Sequence, residues 1–409
     1  MNLLEPSSEI APDRRNGKAT EVFLAFLKLG LTSFGGPIAH LGYFRDEFVL
    51  RRKWLDEAEY ADLVALCQFL PGPASSQVGF SLGVLRGGGL LGGLLAWLAF
   101  TTPSALILVA FASSAATFGG PLAEGMLHGL KLVAVAVVAQ AIWGMSRTLT
   151  PDRRRAAIAL SAVAIVTFVG GSLGQVAAIA AGAISGLWLC RGDIGSQSAR
   201  LRFPVSRRAG IASLLTFALL LSALPLAADL THAQSVALFD AFYRSGALVF
   251  GGGHVVLPLL QAEVVATGWT TNELFLTGYG LAQAVPGPLF TFAAYLGAVV
   301  VPPPSGIVGA LIALVAVFMP GLLLVYGMLP FWDRLRELQS AQAAMRGANA
   351  AVVGILAAAL YAPVWTSAVF SSRDFMLVLG GFLLLTVYRA PPWCVVVLLG
   401  AGGVLMHLF

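Results

Sequence analysis

Phe34-Gly35-Gly36-Pro37, followed by Leu70-Pro71-Gly72-Pro73, decides the reading of this chain, because the pair returns later as Phe250-Gly251-Gly252-Gly253-His254 and Val285-Pro286-Gly287-Pro288. The spacing within each pair is nearly the same. Neighbouring positions fall into register: Phe26 with Phe242, Lys28 with Arg244, Gly30 with Gly246, Trp54 with Trp269, Gln68 with Gln283, and Leu82-Gly83 with Leu296-Gly297. A chain that repeats itself in this way is two copies of one unit, and the repeat must be found before any element is assigned. Gly and Pro interrupt apolar segments at corresponding places in both halves. That pattern points to the binding site of a secondary transporter.

Composition sets the environment. The chain has 409 residues, of which 58% are hydrophobic and 11% charged. A soluble domain carries about 25% charged residues. Apolar runs of roughly 17 to 25 residues recur, each long enough to cross a bilayer. They lack the strict alternation of a barrel strand, so the expected fold class is an all-α polytopic membrane protein. The formal net charge is +5, but the basic residues are gathered in a few loops. That distribution sets topology and gives no support to nucleic-acid binding, and the lipid bilayer is the partner it implies. Cys67, Cys190 and Cys394 form no CxxC, no disulfide framework and no zinc spacing, so they read as packing residues and no metal is expected. The chain carries no nucleophile motif, phosphate-binding loop, HExxH or dinucleotide fingerprint, so neither enzyme chemistry nor a cofactor is expected. The polar stretch Met1–Thr20, with Arg14, Arg15 and Lys18, lacks the apolar core of a cleavable signal.

The basic residues then fix an expected layout. Residues 1–19 form a cytoplasmic tail, and the Arg51–Lys53 cluster is also expected inside. The apolar stretch between them must therefore enter and return, as a re-entrant hairpin of two half-helices with Gly35-Gly36-Pro37 at its tip. Residues 58–85 repeat this around Pro71-Gly72-Pro73. Spans over 87–113, 125–146, 156–170 and 174–190 complete an amino-terminal repeat, 20–190. A basic cytoplasmic loop and one linker span occupy 191–228 and invert the second half of the chain. The carboxy-terminal repeat, 229–409, has hairpins at 240–267 and 273–301 and spans at 306–328, 347–365, 375–388 and 392–408. The amino terminus is then cytoplasmic and the carboxy terminus periplasmic. Residues 375–388 are short for a crossing.

Each break starts a new helix inside the membrane, with unpaired N–H groups and a partial positive charge at its head. Four such heads brought together form a site for an oxyanion, built largely from backbone. The candidate binding residues are Gly35, Gly36, Pro37, Gly72, Pro73, Gly251, Gly252, Gly253, Gly287 and Pro288. Ser75, Ser76 and Gln77 follow the first Pro-Gly-Pro as donors, and Thr291 follows the second among Phe290, Phe292 and Tyr295. Gln68 and Gln283 precede the two Pro-Gly-Pro turns and are placed to donate to a substrate or to cap the break. The plainer alternative is that Gly and Pro only kink packed helices. His254 is a candidate proton carrier or anion donor, or a packed histidine with a satisfied partner. Lys131 and its repeat equivalent Asn349 lie within spans, where a charge is by default a functional hypothesis. Glu47 and Glu263 correspond as well, and read either as proton acceptors or as solvated loop ends.

Together with the Trp54 region, Gln68-Phe69 and Gly278-Tyr279-Gly280, these motifs resemble the chromate ion transporter (CHR) family in its long, two-domain form, from about residue 20 to 405. The resemblance implies a carrier in the bacterial inner membrane that exports chromate, with protons as the coupling ion. It also raises sulfate, an isosteric dianion, as an imported alternative. A channel using the same dipoles without coupling is the alternative from another class. A homodimer stays open as a further partner.

Overall fold

The computed structural model describes residues 19–115, 120–191, 201, 203–335 and 338–408, and among them it contains helices and no strand. The sequence-expected tail and most of the basic loop after Arg191 lie outside these residues. The first half runs α1 (Ala19–Thr32), α2 (Gly36–Phe44), α3 (Glu57–Phe69), α4 (Ala74–Arg86), α5 (Leu90–Ala115), α6 (Pro121–Leu149), α7 (Arg153–Val169) and α8 (Gly171–Leu189). α9 (Arg207–Thr231) links it to α10 (Gln234–Ala247), α11 (Val256–Val264), α12 (Asn272–Ala282), α13 (Phe292–Val299) and α14 (Gly306–Met328). The short α15 (Trp332–Leu335), α16 (Gln339–Ala359), α17 (Ser372–Thr386) and α18 (Pro392–Leu408) complete the fold.

Six helical stretches are long and apolar enough to cross a membrane: Leu90–Ser114, Leu122–Leu149, Gly171–Leu189, Arg207–Thr231, Gly306–Leu335 and Gln339–Trp365. The chain is a polytopic membrane protein. The expected spans at α7, α17 and α18 have 17, 15 and 17 residues. At 15 residues a helix rises about 22 Å, against a hydrocarbon core of about 30 Å. None of the three is among the six; α7 packs with α8 on α16, while α17 and α18 pack on α6.

All four expected breaks are breaks in the structure, at residues 33–35, 70–73, 248–252 and 283–288. Two helices differ from expectation, and the span expected over 347–365 is α16 followed by a π-helical turn, Leu360–Trp365. The segment expected as a single helix over 38–50 is α2 followed by a π-helical turn, Arg45–Arg51. Its wider winding directs Glu47 inward, to 6% side-chain exposure. There Glu47 accepts from Lys28 at 3.4 Å, from Arg52 at 2.6 Å and from Arg51. In the second half Arg244 reaches Asp240 at 2.9 Å and Glu263 at 3.1 Å, and Ser172 donates to Glu263 at 2.6 Å. Glu47 and Glu263 are thus corrected from solvated loop ends to buried partners of Lys28 and Arg244. A carboxylate withdrawn from water needs such partners to stay charged.

Glu21, near the head of α1, pairs with Arg52 after the first broken pair and with Arg86 at the end of the second. The chain therefore comes back to its starting point twice. Glycine lets the helices approach closely. A Cβ on Gly30 would collide with the Phe100 carbonyl of α5, and one on Gly246 with the Val317 carbonyl of α14. Gly129 of α6 meets the Leu399 carbonyl of α18, and Gly347 of α16 meets the Gly182 carbonyl of α8. Each contact in one half has its counterpart in the other.

Candidate functional site

The breaks are made by backbone that only glycine adopts comfortably. Gly35, Gly36 and Gly72 have φ of 103°, 79° and 125°, and Gly251, Gly252 and Gly287 have 75°, 138° and 104°. A left-handed turn closes one helix and lets the next begin at once. α2 and α4 start after Gly35 and Pro73, while α11 and α13 are each led in by a three-residue 3-10 turn that starts after Gly252 and Pro288, and at none of these four does a side chain cap the first turn. Asp56, Asp152, Ser206, Thr271 and Ser371 cap α3, α7, α9, α12 and α17, each accepting from a first-turn N–H, whereas α6, α8, α10, α14 and α16 also lack a side-chain cap. A helix head without a capping side chain leaves first-turn N–H groups open to another acceptor. An anion is the natural acceptor.

The four breaks meet pairwise across the two halves. The Gly72 N–H donates to the Val249 carbonyl at 2.7 Å, and the Gly287 N–H donates to the Ser33 carbonyl at 2.9 Å. The second break of each half thereby ties to the first break of the other. The space normally taken by a side chain at Gly72 is closed by Gly321, next to Pro320 inside α14, and at Gly287 by Ser104, next to Pro103 inside α5. Pro37 and Gly253, equivalent positions, touch each other. Beside that contact, a Cβ on Gly36 or on Gly252 would meet nothing within 4 Å. The second glycine of each pair therefore borders open space in both halves.

The side chains proposed from sequence divide. Ser75 and Ser76 are buried at the head of α4, and the Ser76 hydroxyl has no partner. Gln77 is buried too, but its amide N–H groups already donate to the Pro71 and Gly321 carbonyls at 2.9 and 3.0 Å. It ties the break to α14. The Thr291 hydroxyl donates to the Pro288 carbonyl at 2.7 Å, so it closes its own turn and has no hydrogen left for a ligand. Nδ1 of His254 is 2.6 Å from the Tyr279 hydroxyl, which leaves only Nε2. Gln283 is buried with its amide nitrogen unpaired, whereas its counterpart Gln68 is exposed. Asn349 lies one helical turn before Val352, which approaches Gly251, and its side-chain oxygen is buried without a partner. Lys131 is not brought to the breaks. Its ammonium is 3.3 Å from Glu273, at the opposite end of α12 from Pro286-Gly287-Pro288.

Sequence reasoning missed His40, Ser33 and Thr101, all buried, and Ser104 of α5. The available signal was a lone imidazole in an apolar stretch, one turn after a broken helix start. It also missed an arginine-lined cavity of about 430 Å³ formed by Arg153, Arg154, Arg155, Arg191 and Arg346 beside Asp152. Asp152 caps α7, and hydrogen bonds from the Arg155 backbone and guanidinium hold its carboxyl below the usual range.

A family model described as Chromate transporter matches residues 20–187 and again 236–405. The chromate transport protein of Pseudomonas aeruginosa is 29% identical over 343 residues, covering 83% of this chain and 79% of that protein. A probable chromate transport protein of Synechococcus elongatus is 30% identical over 344 residues, 82% of each. The chromate transport protein of Cupriavidus metallidurans is 26% identical over 346 residues, covering 83% of this chain and 81% of that protein. No solved structure matches the chain. Matched once in each half and over most of its length, the chain belongs to the chromate transporter family, a family of transporters and not of enzymes.

Proposed function

We propose that the chain is a secondary transporter that moves chromate out of the cytoplasm across the bacterial inner membrane, driven by the proton motive force. The observation that carries this is the set of four uncapped helix heads, joined in pairs by the Gly72–Val249 and Gly287–Ser33 hydrogen bonds. A helix start carries a partial positive charge, about half a unit for a full helix. A tetrahedral dianion has acceptors on every side and matches that arrangement. Three relatives named for chromate transport favour chromate over other oxyanions.

The broken helix pairs are, in this proposal, re-entrant hairpins, and residues 20–190 and 229–409 are inverted repeats joined through the basic loop and α9. The matched contacts of the two halves support it: Lys28–Glu47 with Arg244–Glu263, and Gly72 on α14 with Gly287 on α5. Such a pair of halves exchanges access by rocking about a fixed central site. Pro103 and Pro320 weaken α5 and α14 where the breaks press on them, and so provide the bend. A homodimer would pair through α9, whose apolar window is only 6% buried.

Chromate flux into inverted membrane vesicles tests the function. Uptake is expected when the vesicle interior is made acid, and its loss on collapsing the gradient. Uptake indifferent to the gradient, with a reversal potential set by chromate alone, identifies a channel instead. Sulfate accumulation in right-side-out vesicles without chromate flux identifies a sulfate importer.

A further inference from the structure

We propose that the oxyanion is held at only one of the two crossings, beside the Gly287–Ser33 hydrogen bond that joins the first break of the amino-terminal half to Pro286-Gly287-Pro288, by the side chains of Ser33, His40, Ser75 and Ser76. This rests on the reading of the chain as an oxyanion transporter. His40 lies one turn into α2 and is fully buried. Its Nδ1 is 3.5 Å from the Ser75 hydroxyl, in the first turn of α4. Its ring stands edge-on to Phe100 of α5, with centroids 5.3 Å apart. It also lies against the Ser33 carbonyl, the same carbonyl that accepts the Gly287 N–H. One imidazole therefore touches the heads of α2 and α4, the proline-containing α5, and the stretch of backbone that joins the opposite half.

Around it hydrogen bonds are left unmade. His40 Nε2, Ser33 Oγ, Ser76 Oγ and Thr101 Oγ1 are buried and have no partner. Buried polar groups normally find partners, and a cluster without them marks a place for a ligand or water. The unmade groups are hydroxyls and an imidazole, all able to donate, and none of the named residues is a carboxylate. α2 and α4 both begin here uncapped, which supplies positive potential without a fixed cation. Neutral donors suit a carrier, because the anion must also leave.

The other crossing has lost this chemistry. Aligning Gly35 with Gly251, Pro73 with Pro288 and Pro103 with Pro320 places Val249 against Ser33, Val256 against His40 and Phe290 against Ser75. The same alignment sets Phe318 against Thr101 and Gly321 against Ser104. Phe290 and Phe318 are buried and pack with centroids 5.6 Å apart. Thr291, which aligns with Ser76, spends its hydrogen on the Pro288 carbonyl, and His254 keeps only Nε2, so fewer free donors remain there for a dianion stripped of water. The two halves have divided their tasks: one crossing binds and the other is a ring-packed support.

Equilibrium binding of radiolabelled chromate to the purified full-length protein, with sulfate as competitor, tests this. About one chromate per chain is expected. His40→Leu and Ser76→Ala should each weaken binding about tenfold or more, a change of about 1.4 kcal/mol or more. His40→Gln, which keeps a donor near the Nε2 position, should stay within about threefold, and Val256→Thr should change nothing. Two chromates per chain, or unchanged affinity in both His40→Leu and Ser76→Ala, overturns the location. If His40→Leu does not fold, Ser76→Ala and His40→Gln decide by the same criteria. Wild-type protein that binds neither chromate nor sulfate, and moves neither in vesicles, overturns the transporter reading itself. Binding that is insensitive to both residues overturns only the placement.

Discussion

Gly36 and Gly252 share three properties that separate strain from function. Each is the second glycine of its motif, each has positive φ (79° and 138°), and each borders open space. Gly88 has φ of 76° and also borders open space, but it lies in the turn between α4 and α5. A side chain at Gly36 or Gly88 costs about 1–2 kcal/mol in backbone conformation, and more at Gly252, whose φ of 138° and ψ of 165° essentially only glycine adopts. A loss at Gly36 that Gly88 does not share therefore measures the closed approach to the backbone, since the φ of the two is alike. Gly36→Val should weaken chromate binding at least about tenfold, that is by about 1.4 kcal/mol or more. Gly252→Val should weaken it less, because its half lacks the His40 cluster. Gly88→Val should leave affinity unchanged. Binding to purified protein is the readout, and equal affinities in all three variants would reduce the breaks to hinges.

At the scale of elements, the equivalent pairs Lys28–Glu47 and Arg244–Glu263 close the first broken helix pair of each half, yet they are not equally strong. Lys28 is 52% exposed, and Glu47 keeps Arg51 and Arg52 when Lys28 is removed. Arg244 serves both Asp240 and Glu263, whose side chains are 6% and 12% exposed. Removing Arg244 leaves two buried carboxylates uncompensated, and losing one partner of a buried pair costs about 3–5 kcal/mol. Arg244→Ala should therefore lower the unfolding midpoint in detergent clearly, while Lys28→Ala should shift it little. Equal shifts would mean that water reaches Asp240 and Glu263. Sequence register alone paired Lys28 with Arg244 and Glu47 with Glu263. It could not say that each cation meets its own half's carboxylate, because that depends on how the two helices of each broken pair pack, and in the first half Glu47 also lies in a π-helical turn, Arg45–Arg51, which leaves no periodic signature in apolar sequence.

For the whole molecule, the breaks and the repeat were legible because Gly-Gly and Pro-Gly-Pro have few uses inside an apolar segment. The polar crossing was not legible, because His40 meets Ser75 and Phe100 by tertiary contact and no spacing connects them. Topology is the remaining question at this scale, and charge answers it in advance. Arg51, Arg52 and Lys53 follow the first broken pair, whereas residues 261–273, after the equivalent pair in the second half, contain Glu263 and Glu273 and no Lys or Arg. Basic loops stay in the cytoplasm. α9, a helix of 25 residues, stands between the halves, and in the proposed topology it crosses once and turns the second over. Lys53 and Ala266, both exposed, are thus expected on opposite faces. In a background with Cys67, Cys190 and Cys394 replaced, a cysteine at Lys53 should react with an impermeant maleimide only in inverted vesicles. A cysteine at Ala266 should react only in right-side-out vesicles. Labelling of both from one side would mean that α9 does not invert the second half. The matched contacts would then relate two parallel copies, and a central site with exchange of access would have no structural basis.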